Sequence, residues 1–91
     1  MIRIKSTGEY QRNLDDLVRQ TPTFGSKVDA CVRWFHRNPD DTRLRNHKLR
    51  KDLEGKWAFS VTDDVRIVYE WLGKTTVRFL AIGKHQVVYR K

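Results

Sequence analysis

The alternation of apolar and polar positions predicts a short strand and then a helix at the start of the chain. Apolar and basic residues alternate over residues 2–5, IRIK, which is the period of a strand with one buried face. Ser6 stands three residues before Glu9, the spacing of a capping box. We therefore expect a first helix from about Thr7 to Gln20. Its apolar positions recur at helical spacing and end before a proline: Tyr10, Leu14, Leu17, Val18 and Pro22.

A second helix is predicted from near Ser26 to the Asn38-Pro39 pair, because the residue before a proline disfavours helical geometry. Cys31 falls on the apolar side of this helix, so we expect its thiol to be part of the core rather than a reactive group. The apolar stripe of the helix consists of Val28, Cys31, Val32 and Phe35.

The helical spacing of apolar residues ends before residue 40. Residues 40–56 carry few apolar side chains and predict an ordered loop, with a helical turn as one option. The period then becomes two, which predicts strands over residues 57–61 and 65–71, joined by a turn at Asp63-Asp64. Gly73-Lys74 fits a two-residue type II′ hairpin loop. Residues 77–82 are apolar on both faces apart from Arg78, as in a central strand, and residues 87–88 are a candidate last strand.

This order of elements predicts the α+β class. An N-terminal strand and two helices would pack on one face of an antiparallel sheet of about four strands. We find no internal repeat and no low-complexity segment, and 91 residues fit a single domain over residues 1–91.

Composition argues against several classes of protein for this chain. No apolar stretch approaches the roughly 20 residues of a membrane span, and the first residues lack the apolar block of a secretory signal. The single cysteine cannot form an internal disulfide, and no cluster of Cys and His suggests a metal site. A reducing cytoplasm is the expected compartment, and we expect no metal and no cofactor.

The charge is unevenly distributed. The formal net charge is +8, with 7 basic and 6 acidic residues in residues 1–42 but 12 basic and 5 acidic in residues 43–91. Clustered Lys and Arg bind polyanions because they displace counterions from phosphate backbones. The second half is therefore a candidate nucleic-acid surface, although a solubilising charge is the alternative.

Two histidines stand in this basic half. His47 lies in the run RNHKLRK, and His85 lies in the closing segment GKHQVVYRK, whereas His36 is expected at the surface near the end of the second helix. Either imidazole in the basic half could be a solvated surface group. Together they could act as base and acid at neutral pH, the pair that metal-independent RNA cleavage requires.

Arg66 and the neighbouring aspartates each allow two interpretations. Arg66 is out of step with Val65 and Ile67, so it emerges on the opposite sheet face, either in a buried ion pair or on a functional face. Asp63-Asp64 could be metal ligands, but a tight turn is the commoner use of two adjacent aspartates without further ligands.

Three stretches of the sequence carry a resemblance to a known family. They are HKLRKDLEGKWAFSV, DDVRIVYEW and LAIGKHQVVY. With the N-terminal strand and two helices, they resemble the RelE/ParE superfamily of toxin–antitoxin toxins, and the IGKH ending is most similar to the YafQ-like branch of its mRNA interferases. The resemblance implies a small endoribonuclease that cuts mRNA in the ribosomal A site and is held inactive by an antitoxin.

The resemblance also implies roles for individual residues. Arg66 would contact the scissile phosphate, Tyr89 would stack on or orient the substrate, and His85 would take the place of a C-terminal His or Arg. Asp64 and His47 match catalytic positions of the YafQ branch. The cations implied in RNA binding are Arg45, Lys48, Arg50, Lys51, Lys84 and Arg90.

Two departures from the YafQ pattern leave the general base open. Ser60 replaces a strand histidine and Ala81 stands near an expected arginine, so either His47 takes the role of base or activity is weaker. A ParE-like toxin that inhibits DNA gyrase without nuclease chemistry is the alternative function, and a solitary RNA-binding module is a third. The expected partners are a cognate antitoxin, mRNA and the ribosome but no membrane, and a free monomer is one option.

Overall fold

The computed structural model describes residues 1–50 and 53–84. Within these ranges two helices, α1 and α2, lie between a first strand and four further strands, with one 3-10 turn between α2 and the second strand. The elements are β1 Arg3–Ser6, α1 Gly8–Gln20, α2 Phe24–Arg37, the 3-10 turn Thr42–Leu44, β2 His47–Lys48, β3 Lys56–Ser60, β4 Val65–Trp71 and β5 Thr76–Lys84.

The strands form one sheet in the order β1-β5-β4-β3-β2, which confirms the α+β class. Strands β2 to β5 pair antiparallel, as predicted. The sheet differs from the prediction in two details. The loop over residues 40–56 contributes the two-residue β2, and β1 joins the central strand β5 in parallel orientation. The helices between β1 and the later strands return the chain to the same end of the sheet, which makes a parallel pairing possible.

Two local predictions are wrong by one or two residues. The N-cap of α1 is Thr7 rather than Ser6, because the Thr7 hydroxyl accepts a hydrogen bond from the Tyr10 backbone N–H. The same hydroxyl donates to the Leu80 carbonyl oxygen, which fastens the start of α1 to β5. The second helix begins at Phe24, two residues before the predicted start.

The β4–β5 connection does not form the predicted type II′ turn. That turn requires a positive φ at Gly73, and the structure has none there. The Leu72 N–H instead donates to the Thr76 carbonyl oxygen and closes a wider loop between Trp71 and Thr76. A wider loop distributes the reversal over more residues, so no left-handed glycine is needed.

The main core lies between the helices and one sheet face. Phe35 of α2 is fully buried and stacks on Phe59 with ring centroids 4.8 Å apart. Its ring also meets Tyr69 and Phe79 edge-on, so four aromatic rings fix the helix over the sheet. Cys31 is buried in this core, as predicted.

The opposite sheet face, called the second face below, carries smaller apolar side chains. Ala58, Val68 and Ala81 are buried neighbours on β3, β4 and β5, and Leu49 packs on them. Charged and polar residues lie on this face on either side of the apolar patch, and the candidate site begins at the end that carries Arg66.

Two buried phenols make the fold sensitive to alkali. Burial raises the pKa of Tyr10 and of Tyr69 to about 12. In the unfolded chain each phenol would ionise near pH 10, so the unfolded state loses its protons first as the pH rises. The stabilisation is therefore complete below pH 10 and lost as the pH rises to 12.

We expect urea denaturation to show a falling free energy of unfolding between pH 10 and pH 12, by up to about 2–3 kcal/mol for each buried phenol. Tyr69→Phe should remove part of this fall, because phenylalanine keeps the ring but has no proton to lose. An identical pH dependence in the variant and the parent would contradict this assignment.

Candidate active site on the second face

Arg66 lies on the second face, as its alternation with Val65 and Ile67 predicts. Its cross-strand neighbours are Ser60 on β3 and Gly83 on β5, so Arg66 stands in the middle of three adjacent strands. Val65 and Ile67 are buried in the main core, whereas Arg66 is half-buried.

The Arg66 guanidinium is held by backbone oxygens rather than by a carboxylate. Its Nη1 donates to the carbonyl oxygens of Thr62 and Asp63, at 2.7 Å each. Within residues 1–50 and 53–84 Arg66 makes no ion pair, which favours the functional face over the buried ion pair. Carbonyl oxygens fix the group without neutralising it. Nε and Nη2, which make no hydrogen bond to the described residues, can donate together to a phosphate.

His47 lies on the same face at the edge strand β2. Its cross-strand partner is Ala58, and Ala58 is two residues before Ser60, the partner of Arg66. Ideal strand spacing puts the Cα atoms of His47 and Arg66 about 12 Å apart, since two strand intervals and two residues separate them.

The hydrogen bond of His47 defines the tautomer of its ring. The Nδ1 atom lies 3.1 Å from the Arg45 carbonyl oxygen. A carbonyl oxygen can only accept, so Nδ1 carries the proton of the neutral ring and Nε2 carries the lone pair. His47 is exposed, and in its neutral ring Nε2 is therefore the nitrogen that could act as a general base.

Arg45 itself has an unusual backbone conformation. Its φ of 49° and ψ of 45° are left-handed, and no other residue except glycine has a positive φ in the described ranges. Such a conformation costs roughly 1–2 kcal/mol for a residue with a side chain, and it persists where the surroundings fix it. Here it ends the 3-10 turn and directs the chain into β2, which carries His47.

A part-buried hydrogen bond fixes this loop to β4. The Tyr69 hydroxyl donates to Asn46 Oδ1 at 2.8 Å, and Asn46 Nδ2 donates to the Pro39 carbonyl oxygen at 3.0 Å. Tyr69 is three residues beyond Arg66 on the same strand, so the bond ties the loop bearing His47 to the strand bearing Arg66. Neither partner of this hydrogen bond was predicted from the sequence. Asn46 is adjacent to His47, but the alternation of β4 indicates only a core side chain at Tyr69.

Two further predicted residues lie at the β3–β4 turn, next to Arg66. Arg45 is exposed and pairs with Asp63 at 2.8 Å. Asp64 is exposed in the turn, where its backbone N–H donates to the Thr62 hydroxyl. The Asp63-Asp64 pair thus forms the predicted turn, and no group of three or more His, Cys, Asp or Glu in the described ranges could hold a metal ion.

The structure does not bring all the predicted cations to this face. Lys48 is paired with Trp57 and Lys84 with Val65, and both partners pack in the main core, so these lysines belong to the helix side of the sheet. Arg50 is exposed beyond β2. The remaining predicted site residues, and the candidate strand at residues 87–88, lie outside the described residues: Lys51, His85, Tyr89 and Arg90.

His36 occupies the place predicted for it, in the last turn of α2, away from the candidate site. Its Nδ1 lies 2.6 Å from the Ile2 carbonyl oxygen, and the Ile2 N–H donates to the His36 carbonyl oxygen. This histidine therefore fastens the N-terminus to the helix.

None of the helices in the described ranges is long and apolar enough to cross a membrane.

Comparison with known proteins finds similarity in structure alone. No family model and no curated protein sequence matches the chain. Among solved structures, YafQ from E. coli superimposes with a TM-score of 0.79 at 18% identity, covering 98% of this chain and 99% of YafQ. A YoeB/ParE toxin from Agrobacterium tumefaciens gives 0.78 at 19% identity, covering 92% and 99%.

The same fold is found in a third protein, YoeB from Staphylococcus aureus, in a structure of its dimer. The TM-score is 0.74 at 14% identity, over 92% of this chain and 97% of that one. The resemblance noted in the sequence is thus confirmed at the level of the fold. This chain therefore has the fold of the YafQ and YoeB/ParE toxins.

Proposed function

We propose that this protein is the toxin of a toxin–antitoxin pair and that it cleaves RNA by acid–base chemistry without a metal ion. The observation that carries the proposal is the presence of His47 and Arg66 on one sheet face, with the lone pair of His47 on its exposed Nε2. In phosphodiester cleavage, an imidazole nitrogen with a lone pair can remove a proton, and a guanidinium can stabilise the negative charge on the phosphate oxygens.

The proposed reaction assigns one task to each group. His47 Nε2 takes the proton of a ribose 2′-OH, whose oxygen forms a bond to phosphorus. Arg66 donates hydrogen bonds to the phosphate oxygens as negative charge builds on them. The bond between phosphorus and the 5′-oxygen breaks, and a proton donor protonates that oxygen. By sequence resemblance His85 is the proposed donor and Tyr89 orients the nucleotide.

An antitoxin is the proposed protein partner. Two of the similar structures are complexes named DinJ–YafQ and YoeB–YefM, with TM-scores of 0.77 and 0.74 at 18% and 14% identity. Residues 43–91 of this chain hold 12 basic and 5 acidic side chains. An acidic segment laid over this half would neutralise it, so we propose a small acidic antitoxin that co-purifies with the chain in a cytoplasmic setting.

Induced expression in bacteria tests the proposal. We expect growth to stop, and primer extension on cellular mRNA should show new 5′ ends inside translated codons, because ribosome-bound mRNA is the proposed substrate. Co-expression of the proposed antitoxin, a small acidic protein expected to be encoded beside this gene, should restore growth.

Plasmid supercoiling measured in the same cultures separates the alternative. Arrested growth with intact mRNA and with gyrase unable to reseal DNA would replace the nuclease with a ParE-like gyrase inhibitor. Normal growth with abundant soluble protein would overturn both proposals.

A further inference from the structure

A cleft of about 390 Å³ lies between α2, the 3-10 turn and the β3–β4 turn. It adjoins the candidate active site through Asp63. The Asp63 carbonyl oxygen accepts from Arg66, whereas its carboxylate pairs with Arg45, which lines the cleft. The cleft and the proposed phosphate-binding position at Arg66 therefore adjoin the same turn. The mechanism proposed above uses no residue inside the cleft.

Arg43 forms a flat, fixed platform in this cleft. Its guanidinium carbon lies 3.8 Å above the centre of the Trp34 ring. Its Nε and Nη2 donate to the two carboxylate oxygens of Asp41, at 3.0 and 2.8 Å. These hydrogen bonds lower the pKa of Asp41, so the carboxylate stays charged and in place at neutral pH. A guanidinium held in this way keeps its plane at little further entropic cost.

One face of this platform remains open. The Trp34 ring covers one side of the guanidinium, and Asp41 occupies one edge. The Arg43 side chain is nevertheless 58% exposed. Trp34 blocks only the side of the guanidinium that it covers, so a planar ligand could stack on the opposite side.

The edge of β3 adds a backbone donor and acceptor that have no partner among the described residues. The Val61 N–H donates to Val65 of β4, whereas the Lys56 carbonyl oxygen accepts from Leu49 on the opposite edge. Backbone groups alternate along a strand, so those of Ser60, like those of Lys56, point away from β4. The edge strand β2 pairs only with Trp57 and Ala58 and does not reach this far.

Ser60 is therefore a buried residue whose outward backbone groups meet no partner in residues 1–50 and 53–84. It is 5% exposed and lines the cleft, no described strand pairs with this edge of it, and no described turn or loop hydrogen bond reaches it. Buried backbone groups are nearly always paired, so a ligand or water is expected there. An adjacent donor and acceptor match the edge of a nucleobase, and guanidinium planes are surfaces on which unpaired bases stack.

We propose that this cleft binds one nucleobase of the RNA strand whose phosphate Arg66 holds. The base stacks on the open face of Arg43, and its edge pairs with the Ser60 backbone. Lys27 and Arg45 lie at the same cleft and attract the strand's phosphates. This inference rests on the proposed RNA cleavage and adds to it a base-binding subsite beside the reacting phosphate.

Arg43→Lys tests the platform because lysine keeps the charge but has no plane to stack on. The assay uses ribosomes programmed with synthetic mRNA, either intact or with an abasic nucleotide at each position around the cleaved bond in turn. On intact mRNA we expect KM to rise about 10-fold with kcat unchanged, the size expected for loss of one stacked base. At one position the abasic mRNA should raise the KM of the parent protein similarly and abolish the difference between parent and variant.

Arg19→Lys is the matched control. Arg19 is an exposed arginine paired with a carboxylate, Asp16, but it lies on α1, away from the cleft. Asp41→Asn is a second test variant, which frees the Arg43 side chain without removing it and should raise KM at the same abasic-sensitive position. Urea denaturation of each variant shows whether the fold is retained.

Equal behaviour of the Arg43, Asp41 and Arg19 variants on every mRNA, with cleavage still dependent on Arg66, would overturn the subsite and leave the nuclease proposal intact. A KM change in Arg43→Lys that no abasic position abolishes would also overturn it. Absence of cleavage by the parent protein on any programmed ribosome would overturn both the nuclease and the subsite.

Discussion

Arg66→Ala should lower the rate of RNA cleavage by roughly 10²-fold or more, the usual effect of removing one group that stabilises charge in the transition state. The loss should appear mainly in kcat, because the negative charge on phosphorus, and with it the contact to Arg66, is strongest in the transition state. Single-turnover cleavage of programmed ribosomes measures this directly.

Arg78→Ala is the control for Arg66→Ala. Arg78 also lies on the second face, but its neighbours are Lys5 on β1 and Glu70 on β4, at the opposite end from Ser60 and Gly83. Its guanidinium donates twice to the Glu70 carboxylate and is thereby neutralised. Both substitutions remove one positive charge from the same face. Equal losses of cleavage would mean that Arg66 contributes only general attraction to RNA.

Retention of the fold in Arg66→Ala can be checked independently. The variant loses the two hydrogen bonds to the carbonyl oxygens of the β3–β4 turn, each worth about 1 kcal/mol. These oxygens lie near the surface, where water can replace the guanidinium. A change in the free energy of unfolding of about 1–2 kcal/mol is therefore expected, too small to explain a large loss of rate in a folded sample.

Local sequence patterns were sufficient to predict most elements of this fold. The helical spacing from Tyr10 to Val18 and the alternation from Val65 to Trp71 predicted α1 and β4, and the structure confirms both elements. The parallel pairing of β1 with β5 was not predictable in the same way, because Arg3 and Thr76 are far apart in sequence. Pairing over such distances depends on how the helices pack.

The N-cap shows the same limit at short range. Ser6 and Thr7 both carry hydroxyl groups, and the capping-box spacing favours Ser6. The structure uses Thr7 because β1 still occupies Ser6 and because the Thr7 hydroxyl also reaches the Leu80 carbonyl oxygen, 73 positions later. A tertiary contact therefore decides between two locally similar choices.

The candidate site could be predicted in part. His47 and Arg66 were identified by residue type and resemblance, but their shared face follows from strand register, which pairs His47 with Ala58 and Arg66 with Ser60. Lys84 is also among the cations predicted to bind RNA, and register places it opposite Val65, on the helix side. The sequence alone did not assign it to a face, and neighbouring residues in a strand point in opposite directions.

The Tyr69–Asn46 hydrogen bond was outside the reach of sequence reasoning for a physical reason. A tyrosine in an alternating strand predicts a buried ring, and nothing local indicates where its hydroxyl will find a partner. The partner stands 23 residues earlier, in a loop of low apolar content. This bond holds the loop in front of β2 and therefore the position of His47, the proposed general base.

His47→Ala should also lower kcat by roughly 10²-fold or more, because it removes the proposed general base. Protonation of a base inactivates it, so the parent rate should fall at the acidic end of its pH profile, and the variant should lack this fall. If His85 is the proton donor, His85→Ala should instead remove the fall at the alkaline end. Single-turnover cleavage over a range of pH separates the two roles.

His36→Gln is the control for His47→Ala, since His36 binds the Ile2 carbonyl oxygen away from the second face and glutamine retains a donor. Tyr69→Phe tests the link to His47, because it keeps the core ring but releases Asn46 and the loop that directs the imidazole. Alone it should lower kcat, but in the His47→Ala background it should cause little further loss, since its effect passes through His47. Independent, multiplicative losses would show that Tyr69 acts on the fold rather than on the base, and an unaltered rate in His47→Ala would exclude His47 as the base.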